Sequence, residues 1–367
     1  MAVQNPRICI NALLLPGSLG GIGNYTFHLI KNLQKLRPDL NLTLLVNRDA
    51  TPNFRDLIGL NILEVNIRSR IGRLAYLHLV FPFLANRYHL LHSVGNMGLV
   101  LCPTAQVITI HDAYECVSPE RFSFGKRMLM RLLVAVSGLV ARKILTDSEN
   151  SGRDIARFYP HLASKVSVVR LGNKFPVGNT VKTEGRNGFL FVGTVEPGKN
   201  LALVMRAFAR FLKLHPEGGK LKVVGAMGWK QTGLPGLMDS LGITDSVEIL
   251  GYVPDNQLPV LFDSSVALIQ ASNYEGFGLP VIEAMACGCP VISAHNSALI
   301  EAGGDSALFF ETGDIEGLFG RMEEVFGSLE IRRQCIVSGF VHVSGFTWEN
   351  VASKTQLAYE KALENRP

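Results

Sequence analysis

Two glutamates, Glu275 and Glu283, stand eight positions apart in the stretch "SNYEGFGLPVIEAMACGCPVISA", residues 272–294. Ionised carboxylates are strong hydrogen-bond acceptors, so the chemistry on offer depends on what the chain between them does. One continuous helix cannot carry both. Gly276, Gly278 and Pro280 interrupt the first half, since interior glycine costs about 1 kcal/mol and interior proline about 3 kcal/mol relative to alanine. Pro280 suits the first position of a helix, where its missing N–H is no loss. "VIEAMACG" then reads as one or two helical turns closed by Gly288, and "SVALIQAS" upstream is an apolar run of strand length. Strand, glycine turn and helix follow one another. Glu275 falls in the turn and Glu283 on the first helical turn, at the carboxyl end of a strand, where open α/β sheets bind ligands.

Three further groups ask for a ligand. "PGSLGGIGNY" places Gly17, Gly20, Gly21 and Gly23 between the first strand and the first helix, letting backbone approach an anion at a helix amino end. A dinucleotide fingerprint competes, but Thr26 stands where its last glycine should fall; a plain tight turn with no ligand is the other alternative. "VITIHDAYE" sets His111 and Asp112 at the end of a β-branched strand, to line the crevice or to be satisfied by the following loop. In "FLFVGTVEPGKNLALVMRAF", Lys199 and Asn200 sit where a loop turns into a helix. A cation there opposes the helix macrodipole unless an anion lies between them, which makes Lys199 a candidate phosphate ligand. Carboxylates beside such an anion make sense as acceptors from sugar hydroxyls. Together these residues fit a phosphate-bearing sugar.

The elements that must hold these groups alternate along the chain. "RICINALLL", "LNLTLLV", "AQVITIH", "RKILTDS" and "KVSVVRL" are strand candidates separated by helical stretches. Residues 173–187 are polar, contain Gly and Pro, and read as a linker. The alternation restarts with "GFLFVGTV", "KLKVVGA", "VEILGYV", "VALIQAS" and "PVISA". Two βα series predict two doubly wound domains with a cleft between them: an amino-terminal domain over 1–172, a linker over 173–187, a second domain over 188–346 and a closing helix over 347–367. That helix, "WENVASKTQLAYEKAL", shows an apolar stripe of Trp348, Val351, Ala352, Leu357, Tyr359 and Leu363.

Composition excludes other classes. The 367 residues are 47% hydrophobic and 18% charged, as expected of a folded globular chain. No apolar run is long enough to span a bilayer, and the amino terminus lacks a secretory pattern, so a cytoplasmic location is expected. Six cysteines are scattered, and only Cys287 and Cys289 are close; no metal-ligand spacing results, and no metal is expected. Residues 1–172 hold 20 Lys/Arg against 10 Asp/Glu, while residues 173–367 hold 16 against 21. The first half should therefore meet something anionic. No nucleic-acid-binding pattern accompanies the charge.

In order along the chain, "GGIGNYT", "ITIHD", "DSENSGRDI", "FVGTVEPGKNL", "EGFGLPVIEAMACGCPVI" and "FTWENVA" resemble the motifs of retaining glycosyltransferases of family 4, with their E-x7-E signature and two-Rossmann GT-B architecture. The resemblance covers nearly the whole chain. It implies a nucleotide-diphosphate sugar as donor co-substrate, no further cofactor, no metal, retention of anomeric configuration, and a terminal helix that crosses back onto the first domain. It implies that Glu275 and the turn Gly276, Phe277, Gly278 and Leu279 contact donor sugar hydroxyls, and that Glu283 binds the ribose. Lys199 with the amides of Gly20, Gly21 and Gly23 would hold the diphosphate. His111 would lie near the reaction centre, and Tyr252 and Val253 near the base. The form "GTVEPGKN" is most similar to mannosyltransferase-like members, which favours a GDP-sugar over a UDP-sugar.

Two departures stand out. Many relatives read E-P-R-K-N where this chain has Glu196-Pro197-Gly198-Lys199-Asn200, so an arginine for the diphosphate is missing; Lys230 in "MGWKQTG" is a candidate substitute. "RLGNK", residues 170–174, replaces a common Asn-Gly-Val-Asp. Two basic and apolar stretches, residues 73–88 and 121–145, are either buried domain helices or a face for an anionic membrane carrying a lipid-linked saccharide acceptor. Polysaccharide biosynthesis is the expected setting. A nucleotide-sugar 2-epimerase on the same fold and a non-catalytic sugar-nucleotide-binding module remain alternatives.

Overall fold

Short runs of Val, Ile and Leu that are apolar at every position, not at alternate ones, must be covered on both faces, which is the condition for parallel sheets. The computed structural model describes residues 5–17, 20–228 and 233–364. It contains two such sheets in two compact units, Met1–Gly172 with Thr347–Pro367, and Asn173–Phe346.

In the first unit β1 (Arg7–Asn11), β2 (Asn41–Asn47), β3 (Asn61–Val65), β4 (Leu90–Ser93), β5 (Ala105–Thr109), β6 (Lys143–Thr146) and β7 (Val166–Val168) form an all-parallel sheet in the order β3-β2-β1-β4-β5-β6-β7. Strand order reverses between β1 and β4. Loops leaving those two strands diverge and open a crevice at their carboxyl ends. One face of the sheet packs Leu77 and Phe81 against Cys9 and Leu91, and Val134 against Ile108. The other face carries a buried polar chain. Tyr359 Oη meets His92 Nδ1 at 2.7 Å, His92 Nε2 meets Thr109 Oγ1 at 2.8 Å, and Thr109 Oγ1 meets Tyr25 Oη at 2.9 Å. This chain joins the terminal helix Trp348–Glu364 to β4, β5 and the first helix, Gly21–Leu36.

The terminal helix thus belongs to the first unit, as the resemblance implied. Trp348 stacks on His28 with ring centroids 5.0 Å apart. Its inward set differs in one place from the expected stripe. Leu357 is exposed, and Thr355, Gln356, Tyr359 and Ala362 face inward, because positions spaced by three and four from Trp348 fall on that side. Gly172 lies against this helix start so closely that a Cβ would come within 2.5 Å of the Trp348 nitrogen, which leaves room for glycine alone.

In the second unit β8 (Phe189–Val192), β9 (Leu221–Val224), β10 (Val247–Gly251), β11 (Ala267–Gln270), β12 (Val291–Ala294) and β13 (Leu308–Phe310) run parallel in the order β10-β9-β8-β11-β12-β13. This is the doubly wound order, reversing between β8 and β11. Residues 173–187 have no helix or strand, yet they are anchored within this unit. Asn173 donates its N–H to the Phe346 carbonyl at 2.8 Å, and Gly178 to the Ala286 carbonyl at 2.8 Å. The buried Arg186 guanidinium donates to the carbonyls of Phe262, Ser265 and Gly288.

Candidate functional site

The crevice of the second unit is built by the loops that follow β8 and β11. The loop after β8 makes a 3-10 turn at Pro197–Lys199 and enters the helix Leu201–Leu214 through Asn200, held at φ 59°. The loop after β11 returns beside it, with the Asn273 N–H donating to the Gly198 carbonyl at 2.9 Å. Lys199 and Glu275 are brought together by that pairing: Lys199 Nζ lies 2.5 Å from Glu275 Oε1. The anion that the macrodipole argument required beside Lys199 is, in this structure, Glu275.

Glu275 is buried and unevenly bonded. Its Oε1 accepts from Lys199, from Gln270 Nε2 at 2.9 Å and from Ser272 Oγ at 2.7 Å. Its backbone N–H donates to Ser297 Oγ at 2.9 Å, and Asn296 Nδ2 donates to the Ser272 carbonyl at 2.9 Å. Among the described residues Oε2 accepts nothing. A carboxylate fixed through one oxygen presents the other as a ready acceptor. Immediately beyond it the helix Leu279–Ala286 opens at Gly278, whose φ is 110°, with Pro280 in its first turn and neither an acidic residue nor a side-chain cap there. Gly276 and Phe277 are buried in this turn, and Leu279 is half-buried at the helix start.

Glu283 projects from the second turn of the same helix, not the first as expected, because the helix already begins at Leu279; it is buried. Lys174 Nζ lies 3.4 Å from Glu283 Oε1 and 2.8 Å from Asp255 Oδ1. Burial raises the Glu283 carboxyl above the usual carboxylate range, with Lys174 pulling the other way. For Lys174 burial works to lower the ammonium, and the two carboxylates outweigh it and raise it. Tyr252 stands exposed with Val253 just past β10, on the same carboxyl edge of the sheet. Lys230, the suggested substitute for the missing arginine, lies outside the described residues. Cys287 and Cys289 flank Gly288 at φ 68°, and burial pushes both thiols up to about 12.

The first unit has its own crevice, at the switch between β1 and β4. A cavity of about 500 Å³ is lined there by Gly20, Gly21 and Gly23 at the amino end of the first helix and by Arg68, Arg70 and Arg73. Arg73 is committed to structure, donating to Asp49 Oδ2 at 2.6 Å and to the Leu15 and Ile67 carbonyls. Arg68 and Arg70 are exposed.

His111 is buried one residue past Ile110, with Nδ1 2.7 Å from Asp147 Oδ2 and Nε2 2.8 Å from the Val94 carbonyl. Both partners can accept, so each ring nitrogen is placed to donate. Burial opposes a charge on the ring, while Asp147 outweighs it and raises the imidazole. Tyr25 abuts the ring edge-on at 4.9 Å. Burial pushes the neighbouring Asp112 up to about 6. Sequence reasoning found neither Asp147 nor the residues that brace Glu275 and Glu283. Gln270 and Ser272 had one signal, as polar residues ending an apolar strand; Lys174 had only its place in the departing stretch 170–174, because its partners are remote in the chain.

The comparisons with known proteins agree with this geometry. Residues 177–340 match the family described as glycosyl transferases group 1. The chain is 26% identical to O-antigen chain mannosyltransferase B of Escherichia coli over 93% of this chain and 96% of that protein. It is 27% identical to O-antigen chain mannosyltransferase RfbU of Salmonella typhimurium over 83% and 87% of the two. Among solved structures it is similar to sucrose-phosphate synthase from Thermosynechococcus elongatus, with a TM-score of 0.78 at 17% identity over 98% of this chain and 100% of that one. Anabaena HepE, solved with UDP and glucose, gives 0.76 at 18% identity over 96% and 99%. At such identities the structures speak for the fold, two Rossmann-like domains. Through residues 177–340, the chain is similar to the group 1 glycosyl transferases.

Proposed function

We propose that the protein is a retaining hexosyltransferase of polysaccharide biosynthesis that takes its sugar from a nucleoside diphosphate. The observation that carries this reading is Glu275 at the β8/β11 switch point, with Oε1 saturated by three donors and Oε2 open. Oε2 would accept a donor sugar hydroxyl. Glu283 would accept from the ribose, Tyr252 and Val253 would flank the base, and Lys199 with the uncapped helix start at Gly278 would face the diphosphate. The likeness to O-antigen mannosyltransferases supports mannose, from GDP-mannose, as the first donor to try.

Transfer would run on one face of the sugar. The acceptor hydroxyl oxygen forms the new bond to the anomeric carbon as the bond to phosphate breaks, and the hydroxyl proton passes to the departing phosphate oxygen. Charge accumulating on that diphosphate is met by Lys199, so transfer should persist in EDTA. The acceptor, a saccharide or lipid-linked saccharide, is assigned to the cavity of the first unit, where Arg68 and Arg70 suit an anionic group.

A thermal-shift panel of GDP, UDP, ADP and CMP tests the donor site in wild type and Glu283→Ala. Ligand at 100 times its dissociation constant stabilises a fold by about 2.7 kcal/mol. One diphosphate is expected to raise the wild-type midpoint and to lose that effect in the variant, each measured against its own ligand-free baseline. No response to any nucleotide would overturn the proposal. Conversion of the donor without acceptor would point to an isomerase instead.

A further inference from the structure

The first unit carries a large apolar surface that its own fold does not cover. In the helix Phe124–Val140 the buried side is Val134, Ser137 and Gly138. On its far side Phe124, Met128 and Leu132 recur every four residues, with Leu129 beside them, and all four are exposed. The segment 70–85 behaves in the same way. Leu77, Phe81 and Ala85 go inward, while Ile71, Leu79 and Phe83 are exposed, Ile71 by 83% and Phe83 by 77%.

These two outward surfaces lie on the same side of the sheet. Leu77 and Phe81 pack on Leu91, and Val134 packs on Ile108. The β4–β5 register pairs Leu91 with Gln106 and Ser93 with Ile108. Paired residues of a parallel ladder, and residues two apart on a strand, point the same way, so Leu91 and Ile108 share a face. His92, pointing to the opposite face, meets the terminal helix. Leu101, in the loop between β4 and β5, adds a further exposed side chain. Exposed large apolar side chains gathered on one side of a unit mark an interaction surface.

Charge selects the occupant. No Asp or Glu occurs between Glu64 and Asp112, or between Glu120 and Asp147. The first of these stretches holds Arg68, Arg70 and Arg87 besides Arg73, which Asp49 pairs; the second holds Arg121, Lys126, Arg127, Arg131 and Lys143 besides Arg142, which bonds the terminal helix on the other face. Arg127 sits over the Phe124 ring at 5.7 Å, and its Nε is buried without an acceptor. Apolar side chains set among cations, in stretches that carry no carboxylate of their own, match the boundary between acyl chains and anionic headgroups. No helix among the described residues is long and apolar enough to cross a membrane, so the contact is with a surface. We propose that this face of the first unit, built by the helix Phe124–Val140 and the segment 70–85, docks on an anionic lipid bilayer.

Flotation with phosphatidylcholine vesicles, with and without phosphatidylglycerol, tests it on the whole protein. Wild type should float with the anionic vesicles at low salt, stay down with the neutral ones, and be released as salt rises. Lys126→Gln should lower partitioning about five-fold, one basic residue's share near such a surface. Phe83→Ser combined with Phe124→Ser should abolish flotation at an unchanged thermal midpoint, since both side chains are exposed. Failure of wild type to float with anionic vesicles would overturn the proposal, as would equal binding to neutral ones or undiminished flotation of the double variant. If wild type fails to float but sediments as a dimer that the double variant dissolves, the face is an interface between copies and the lipid reading falls. The readout is independent of donor binding, so this inference and the proposed activity can fail separately.

Discussion

At the scale of single residues, Glu275 shows how a carboxylate can be both structural and available. Three donors on Oε1 fix its plane, and Oε2 is left for a ligand. Replacing it with Gln removes the charge that pairs with Lys199. We expect Glu275→Gln to lower kcat/KM at least 100-fold, in line with the 10²–10³-fold losses seen when a transition-state contact is removed. Ser272→Ala deletes one of three converging bonds, worth about 1 kcal/mol, and should cost roughly five-fold. Lys199→Ala should weaken nucleoside diphosphate binding by about 10- to 100-fold, as for a charge-assisted bond of roughly 1.5–3 kcal/mol. Steady-state kinetics and titration calorimetry separate the three. Unchanged turnover in Glu275→Gln would remove this residue from the reaction. Glutamates 275 and 283 were legible in the sequence because Gly276, Gly278 and Pro280 leave so few local structures open. Lys174 and Asp147 were not, because each acquires its meaning from a partner that only the folded unit brings near.

At the scale of elements, the glycine turn and the terminal helix are the parts whose sequence is most constrained. Gly278 stands at φ 110°, and a Cβ there would lie 3.0 Å from Leu299 Cδ2 and 3.3 Å from Ala302 Cβ. Gly278→Ala should therefore destabilise the protein by about 1–3 kcal/mol through backbone strain, read as a lower urea midpoint. In the terminal helix Tyr359→Phe removes the hydroxyl bonded to His92 and should cost about 1 kcal/mol. Leu357→Ser, exposed on the same helix, should change stability by less than about 0.5 kcal/mol. The order of those two values distinguishes the observed inward set from the stripe expected by periodicity. Most strands were readable because runs such as those of β8 and β11 are almost wholly apolar; β3, β4 and β13 were not, since β3 is largely exposed at the sheet edge, β4 ends in His92 and Ser93, and β13 has only three residues. Which side of the helix Phe124–Val140 meets the core was not, since both its sides are apolar and only packing on Ile108 decides.

At the scale of the whole molecule, buried titratable groups set the pH response. Burial pushes His92 down to about 3, so it enters the fold neutral. The unfolded chain binds a proton there below about 6.5 and the folded one does not, so this stabilisation is complete above about 6.5 and is lost as pH falls towards 3. Asp112 acts in the opposite sense. Held up at about 6 by burial, it favours folding fully below about 4, and that contribution disappears as pH rises through 6. Urea unfolding at pH 5 and pH 7 should show Asp112→Asn gaining relative to wild type at the higher pH. His92→Gln should show its smaller relative loss at the lower one. Equal differences at both pH values would mean that neither group titrates as its surroundings require.

The meeting of Gly172 with Trp348, and of Asn173 with Phe346, has a consequence for how the protein is made. The whole of Asn173–Phe346 hangs from the first unit as an insertion whose two ends are joined by a 2.8 Å hydrogen bond. A ribosome adding about 5–20 residues per second needs roughly 9 to 35 s to lay down that insertion. Until it has finished, the seven-stranded sheet waits without its closing helix, with His92 lacking Tyr359 and with Tyr25 and His28 lacking Trp348. The inserted unit, by contrast, has everything it needs once Phe346 has emerged. The part of the chain that is translated first is therefore the part that completes its fold last, and it is the one that a nascent-chain chaperone would have to hold.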